Sequence, residues 1–221
     1  MKTGSQKGLS LLEILIVISI GLVLIALTAP LVATSLNMYR LRGAGGDYAN
    51  LLQIARMRAI TDDRYYNVVN TIGPLQVGSS MNAFVNTGTR NTGGPVPAQT
   101  YVAGDPGISF NPAVVIRPKG AAPNTVALEA RFLPGIPAGT VVFNPNAWGP
   151  TFGARGLPCQ AAAPTGATCS YTSGPAAQPI AFEVFLQNTR NGVWEAVTVN
   201  PSGRVRLWHY DVNTGTWSGL D

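Results

Sequence analysis

Residues 9–32 read LSLLEILIVISIGLVLIALTAPLV, and this almost unbroken apolar run decides the fold of the 221-residue chain. About 20 apolar residues are enough to cross a bilayer as a helix. A secretory signal would have a shorter apolar core followed by a small-residue cleavage site, so the length of the run predicts a membrane span that is retained. We expect one long helix from Leu9 to about Ile60.

Glu13 interrupts the apolar run shortly after it begins. A carboxylate in hydrocarbon costs about 2.5 kcal/mol or more, so such a residue is normally there for a function. The alternative is a single-pass anchor with a stray glutamate near its end, whose carboxylate extends to the membrane interface.

The residues around Glu13 carry a family resemblance. Lys7-Gly8, the five-residue spacing from Leu9 to Glu13, and Pro30 in the apolar helix resemble the class III leader of type IV prepilins and type II secretion pseudopilins. The resemblance implies that a prepilin peptidase cuts between Gly8 and Leu9, and that the new amine of Leu9 is N-methylated. Leu9 replaces the usual phenylalanine at this position. Glu13 would then serve assembly by offering a complementary charge to an N-terminal amine, its own or a neighbouring subunit's.

The chain therefore divides into four predicted segments: a cleaved leader (1–8), a transmembrane and filament-core helix (9–32), an amphipathic half of the same helix (33–61) and a β-rich head (62–221). The amphipathic half has apolar residues at helical spacing, from Tyr48 to Ala59. Gly43, Gly45 and Gly46 weaken its middle, as a hinge or as the boundary between two helices. The predicted fold class is α+β, and the resemblance implies the type IV pilin fold, with the helix packed against an antiparallel sheet.

Short apolar segments broken by Gly, Pro and Asn predict the strands of the head. These segments are 65–69, 114–117, 125–132, 140–143, 180–186, 193–199 and 204–210. Between them, 78–107 and 144–179 have the composition of long surface insertions. The second insertion contains the only two cysteines, Cys159 and Cys169, and such a local pair suits a disulfide in an oxidising compartment, with two free thiols as the alternative.

Composition argues against an enzyme and against a metal protein. The chain has one histidine, His209, ten scattered acidic residues and no P-loop, HExxH or GxSxG pattern, so no nucleophile and base can be paired. A structural zinc site needs four Cys or His ligands, and no cofactor is implied. The net charge is +5, of which Lys2 and Lys7 contribute 2, and the remaining +3 is too small to indicate nucleic-acid binding by itself.

The C-terminal region carries a second resemblance. Residues 50–60 (NLLQIARMRAI) and 201–207 (PSGRVRL) are similar to the GspH/FimT family of minor pilins and pseudopilins. Some FimT-like minor pilins bind DNA during natural transformation through a Gly-Arg-x-Arg motif, which Gly203 to Arg206 match. Turn residues at 200–203 predict an antiparallel hairpin, and strand alternation puts Arg204, Arg206, Trp208 and Tyr210 on one face. Arginines can contact phosphates while rings stack on bases, although the same residues can form an ordinary solvated face.

These observations predict a minor type IV pilin that primes or enters a pilus, with DNA uptake in competence as a further role. The alternative is a minor pseudopilin of a type II secretion system. The resemblance implies as partners other pilin or pseudopilin subunits, the prepilin peptidase/N-methyltransferase, the inner-membrane assembly platform and, in the DNA-binding case, DNA. The Lys/Arg orientation rule predicts a single-pass inner-membrane protein whose head lies in the periplasm before assembly, and then in a surface pilus or a periplasmic pseudopilus.

Overall fold

One long helix and an antiparallel sheet dominate the computed structural model, which describes residues 11–70, 82–90, 107–134, 140–143, 149–161, 169–174 and 176–220. Helix α1 spans Leu11–Thr61, or 51 residues, and is about 75 Å long at 1.5 Å per residue. It runs without a break through Gly43, Gly45 and Gly46, so the chain has neither a helix boundary there nor two separate helices. An α+β layout is thus confirmed.

The head is built from thirteen strands and one further α-helix within the described ranges. Helix α2 spans Thr125–Phe132 and follows a 3₁₀ turn at Lys119–Ala121. The strands are β1 (Arg64–Asn70), β2 (Asn82–Arg90), β3 (Gly107–Ser109), β4 (Val114–Arg117), β5 (Val141–Phe143), β6 (Thr151–Phe152), β7 (Gln160–Ala161), β8 (Cys169–Ser170), β9 (Thr172–Ser173), β10 (Gln178–Asn188), β11 (Trp194–Val199), β12 (Val205–Asp211) and β13 (Thr216–Leu220).

The strands form two main sheets. The larger has the order β13-β12-β11-β10-β4, all antiparallel, and β5 and β9 pair with β10 beside this path, β5 in parallel orientation. The second has the order β3-β2-β1-β6, and β7 and β8 form a separate two-stranded ladder. The second half of α1 packs against both main sheets.

The core has two parts, one on each face of the larger sheet. On one face, apolar residues of α1 at helical spacing pack onto the two sheets, and they are Leu41, Ala44, Tyr48, Leu51, Leu52, Ala55 and Ala59. On the other face, Leu128 and Phe132 of α2 pack onto β10, β11, β12 and β13. The sheet is thus covered on both sides, which explains why all six residues of β11 are buried.

Two expectations for the head are wrong. The sequence pattern predicts a strand over 125–132, but these residues form α2, because Leu128 and Phe132 lie four residues apart and cover the sheet as one helical face. The insertions predicted for 78–107 and 144–179 are not all loop: the first contains β2, which pairs with β1 over most of its length, and the second contains the short strands β6, β7, β8 and β9. The other predicted strands agree with observed strands to within about two residues at most ends.

Candidate functional site

The first half of α1 is an apolar rod without cover from the rest of the described chain. Its large apolar side chains from Leu11 to Leu27 are 47–81% exposed. The helix is long and apolar enough to cross a membrane by length and composition, and its most apolar window is not buried by the head. Glu13 lies in the first described turn and is exposed. The predicted cleavage and methylation residues, Gly8 and Leu9, lie outside the described residues.

A buried carboxylate lies where α1 crosses the larger sheet. Glu195 of β11 is fully buried, and within the described part of the chain neither of its carboxylate oxygens has a hydrogen-bond partner. His209 of β12 is directly opposite in the ladder, with Nδ1 3.8 Å from Glu195 Oε1. Gly45 of α1 lies above the pair, and a Cβ there would be 2.5 Å from Glu195 Oε2. A methyl group at this position would displace the Glu195 carboxylate and the Leu207 side chain, so glycine favours this close approach of the helix to the sheet.

Burial controls the ionisation of this pair. It raises the pKa of Glu195 to about 7, an effect that the positive charge of Arg42 on α1 opposes. Burial also lowers the pKa of His209, and Arg42 adds to this lowering while Asp211 opposes it. The packing of α1 on the sheet thus favours the neutral form of both side chains.

A second buried carboxylate, Glu183 of β10, lies on the opposite face of the sheet. Its Oε1 is 3.0 Å from Nζ of Lys119, which also forms an ion pair with Glu129 of α2. Burial raises the pKa of Glu183 to about 7, and Lys119 opposes the rise. This arrangement ties α2 and the preceding turn to the sheet.

The predicted C-terminal hairpin is present and its turn is well defined. β11 and β12 pair in antiparallel orientation, and residues 200–204 connect them. Gly203 N donates to Asn200 O at 2.8 Å, and Arg204 N donates to Asn200 Oδ1 at 2.9 Å. Gly203 has φ +79°, in the left-handed region that favours glycine. The glycine of the Gly-Arg-x-Arg motif therefore has a structural role in the turn.

The two faces of β12 alternate as predicted. Val205 and Leu207 pack toward α1, whereas Trp208 and Tyr210 pack with the cluster under α2. Trp208 is only 4% exposed, and its Nε1 donates to Thr198 Oγ1 at 2.8 Å. The indole ring is thus a core element with no open face for stacking on a base.

The two motif arginines differ in their surroundings. Arg204 is exposed at the end of the hairpin, just before β12 begins. Arg206 is half-buried, with its guanidinium carbon 6.0 Å from the centre of the Trp208 ring. Arg204 is therefore the more accessible cation of the pair.

Sequence reasoning missed a contact between three distant segments, which we call the glycine junction and define by Arg56, Gly156 and Gly203. Arg56 Nε of α1 donates to Gly156 O at 3.0 Å. A Cβ at Gly203 would lie 2.5 Å from the same carbonyl oxygen and 3.1 Å from Arg56 Nε. Gly156 has φ +69°, and a Cβ there would lie 2.6 Å from Ile60 Cδ1. The only signal in the sequence is the position of each glycine beside an arginine.

The predicted disulfide between Cys159 and Cys169 is confirmed. Both half-cystines are buried beside Tyr65 of β1, and Tyr171 packs against them. The guanidinium carbon of Arg155 lies 5.4 Å from the centre of the Tyr171 ring, and the Tyr171 hydroxyl accepts a hydrogen bond from Arg155 N at 3.4 Å. The disulfide thus helps to position the loop that reaches the glycine junction.

No protein-family model, no curated protein and no solved structure matches this chain. Within the described ranges, no three or more His, Cys, Asp or Glu side chains are grouped so that they could hold a metal ion.

Proposed function

We propose that this chain is a minor subunit of a type IV pilin-like filament, anchored first in the inner membrane and then incorporated by its helix. The observation that carries the proposal is the division of α1 into two halves. The first half is apolar and exposed, and the second half buries one face against the sheets. An isolated apolar rod of this length needs either lipid or other helices around it.

Glu13 supports a filament role beyond simple anchoring. It lies within the apolar rod, where a carboxylate is costly unless a cation compensates it. The amine that cleavage at Gly8 would expose on Leu9 is such a cation. In a filament of parallel helices, this pair would set the axial register between neighbouring subunits.

The decisive experiment follows an epitope-tagged full chain in a bacterium that assembles such filaments. The tag should appear in sheared filaments or pseudopili. Glu13→Gln should lower the fraction of tagged protein found in these filaments at least fivefold, while the amount of tagged protein in the membrane stays equal. Asp47→Asn, which removes an exposed carboxylate from the second half of α1, is the matched control and should be incorporated normally. Retention of all the wild-type protein in the membrane fraction would refute the proposal.

Two filament types fit this architecture: a surface pilus and the periplasmic pseudopilus of a type II secretion system. Deleting the chain should abolish pilus-dependent functions in the first case and protein secretion in the second. We favour the pilus, because Arg204 lies exposed in a Gly-Arg-x-Arg sequence that also suits contact with DNA.

A further inference from the structure

Two turns of the larger sheet lie at the end of the head where α1 enters it. The Asn188 side chain donates to Asn37 O at 2.9 Å, so the turn between β10 and β11 lies beside α1, just before the buried residue Leu41. Glu195 at the start of β11 pairs with His209 near the end of β12, so the turn between β12 and β13 lies at the same end. We define the anchor-side surface by three segments, residues 37–42, 189–193 and 212–215.

The length of the apolar rod sets the height of this surface above the lipid in the membrane-anchored state. About 20 helical residues cross the hydrocarbon core, which is about 30 Å thick, and the apolar run ends at Val32. At about 1.5 Å per residue, Asn37 lies about 8 Å and Arg40 about 12 Å beyond Val32. The headgroup region extends about 5–8 Å beyond the hydrocarbon on each side. The anchor-side surface therefore begins at the outer edge of the lipid headgroups.

This surface is basic. Arg40 and Arg42 of α1 and Arg190 of the β10–β11 turn are exposed, and its three segments contain no acidic residue. In the part of the chain that the structure describes, no carboxylate lies within ion-pair distance of Arg40 or Arg190. Helical side chains lean toward the helix N-terminus, which is the membrane side, so the Arg40 guanidinium can extend back to the level of the lipid phosphates.

The neighbouring groups also suit a membrane interface. Tyr39 is 71% exposed, and Val212 in the β12–β13 turn is 66% exposed. Tyrosine is enriched at the level of the headgroups, where its ring is apolar and its hydroxyl is solvated. Asp211 adjoins the surface, but its carboxylate accepts a backbone hydrogen bond within its own turn. Asp47 lies about 10 Å farther along α1 from the membrane than Arg40 does, so the charge nearest the lipid is positive.

We propose that the anchor-side surface binds the phosphate groups of anionic phospholipids through Arg40 and Arg190. The inference rests on the proposed membrane anchoring of α1, and it adds that the head lies on the bilayer instead of moving freely on its helix. The planar fork of arginine suits this ligand, because two N–H groups can contact the oxygens of one phosphate. Extraction into a filament must then break these contacts together with those of the apolar rod.

Position and charge favour lipid over another occupant of this surface. The surface is continuous with the exposed apolar rod, so the bilayer that surrounds the rod meets the three arginines without a second binding event. Anionic lipid also supplies the complementary charge, and each basic residue near such a surface strengthens binding about fivefold. The head should therefore dock on anionic lipid and not on zwitterionic lipid.

The test uses the full chain in lipid nanodiscs with one chain per disc, made with about 30% phosphatidylglycerol in phosphatidylcholine or with phosphatidylcholine alone. A fluorophore on Asn213→Cys reports on the β12–β13 turn. A fluorophore on Ser202→Cys is the reference, because residues 200–204 lie at the opposite end of the head, where Gly203 meets Arg56. A nitroxide on the lipid headgroup quenches a fluorophore only at close range. In anionic discs at about 50 mM NaCl, the probe at position 213 should be quenched about threefold more strongly than the reference.

Arg40→Gln/Arg190→Gln should abolish this difference. At about fivefold for each arginine, the ratio of docked to undocked heads should fall about 25-fold. About 500 mM NaCl should release the wild-type head as well, because salt screens exposed charges. Arg42 is kept, since its charge also acts on Glu195 and His209 inside the head. Equal thermal unfolding of variant and wild type would show that the variant remains folded.

The matched control, Arg64→Gln/Arg155→Gln, removes the same charge from the opposite end of the head. Arg64 begins β1 directly after α1, and Arg155 precedes Gly156, whose carbonyl accepts a hydrogen bond from Arg56 near the end of α1. The control should dock within about twofold of wild type. Equal loss of docking by the two double variants would mean that only net charge matters, and would overturn the proposal.

The remaining outcomes separate this inference from its premise. Co-elution of the chain with the discs reports insertion of α1 independently of the probes. An inserted chain whose probe at position 213 is not quenched, or is quenched equally in anionic and zwitterionic discs, would overturn the lipid contact and leave the anchor in place. Docking that requires two chains in one disc would show that a second copy covers this surface, and would also overturn it. A chain that does not co-elute with discs would overturn both the contact and the anchor.

Discussion

The Glu195→Gln substitution tests the packing of α1 on the sheet most sharply. Burial raises the pKa of Glu195 from its usual 4.5 to about 7. A raised pKa means that the folded state binds the proton more tightly than the unfolded state does. The stabilisation of the fold by this proton is therefore fully present below pH 4.5 and is lost as the pH rises to about 7. At about 1.4 kcal/mol for each pKa unit, the ionised carboxylate lowers the free energy of unfolding by about 3 kcal/mol at pH 8. Glutamine has the same shape and no charge, so it should avoid this cost.

Urea unfolding of the full chain in detergent, at pH 5 and at pH 8, measures the effect. Glu195→Gln should be about as stable as wild type at pH 5, and more stable by about 2–3 kcal/mol at pH 8. The control is Asp47→Asn, which removes an exposed carboxylate from α1 and should change stability by less than about 0.5 kcal/mol at both pH values. A Glu195→Gln variant that is less stable than wild type at pH 8 would show that the carboxylate is ionised and well paired, contrary to our reasoning.

Three other substitutions test the packing on the two faces of the larger sheet by unfolding measurements. Gly45→Ala should destabilise the head by about 1–3 kcal/mol because its methyl group would lie 2.5 Å from Glu195 Oε2, whereas Gly46→Ala, with open space around the Cβ, should stabilise it by about 0.5–1 kcal/mol. Equal changes in stability for Gly45→Ala and Gly46→Ala would contradict the close contact between Gly45 and Glu195. Lys119→Met should lower the free energy of unfolding by about 3 kcal/mol at pH 8, because the ionised Glu183 loses its partner, and by less at pH 5, where Glu183 is protonated. The same loss of stability at both pH values would show that Lys119 contributes through packing alone.

The fold was predictable where one periodicity dominates a segment. The apolar run of α1 and the alternating strands around the C-terminal hairpin give unambiguous patterns. Residues 125–132 give a mixed pattern, because threonine, valine and phenylalanine favour strands, while the pair Leu128 and Phe132 suits one helical face. Which tendency wins depends on the sheet that α2 covers, and a local sequence cannot contain that information.

The candidate sites were predictable only in part for a related reason. The exposed position of Arg204 follows from turn chemistry, which is local. The burial of Trp208 depends on α2, and the contact between Gly45 and Glu195 depends on the rotation of α1 over the sheet. The glycine junction joins Arg56 to Gly156, 100 positions away, so no sequence window includes both sides.

The central claim is that α1 belongs to a pilin-like subunit processed at its N-terminus, and mass spectrometry of the membrane-extracted protein tests it directly. The full chain should be expressed with and without a prepilin peptidase. Our account predicts a mature chain that begins with N-methylated Leu9 only when the peptidase is present. An N-terminus unaffected by the peptidase, or cleavage after the apolar run, would contradict it.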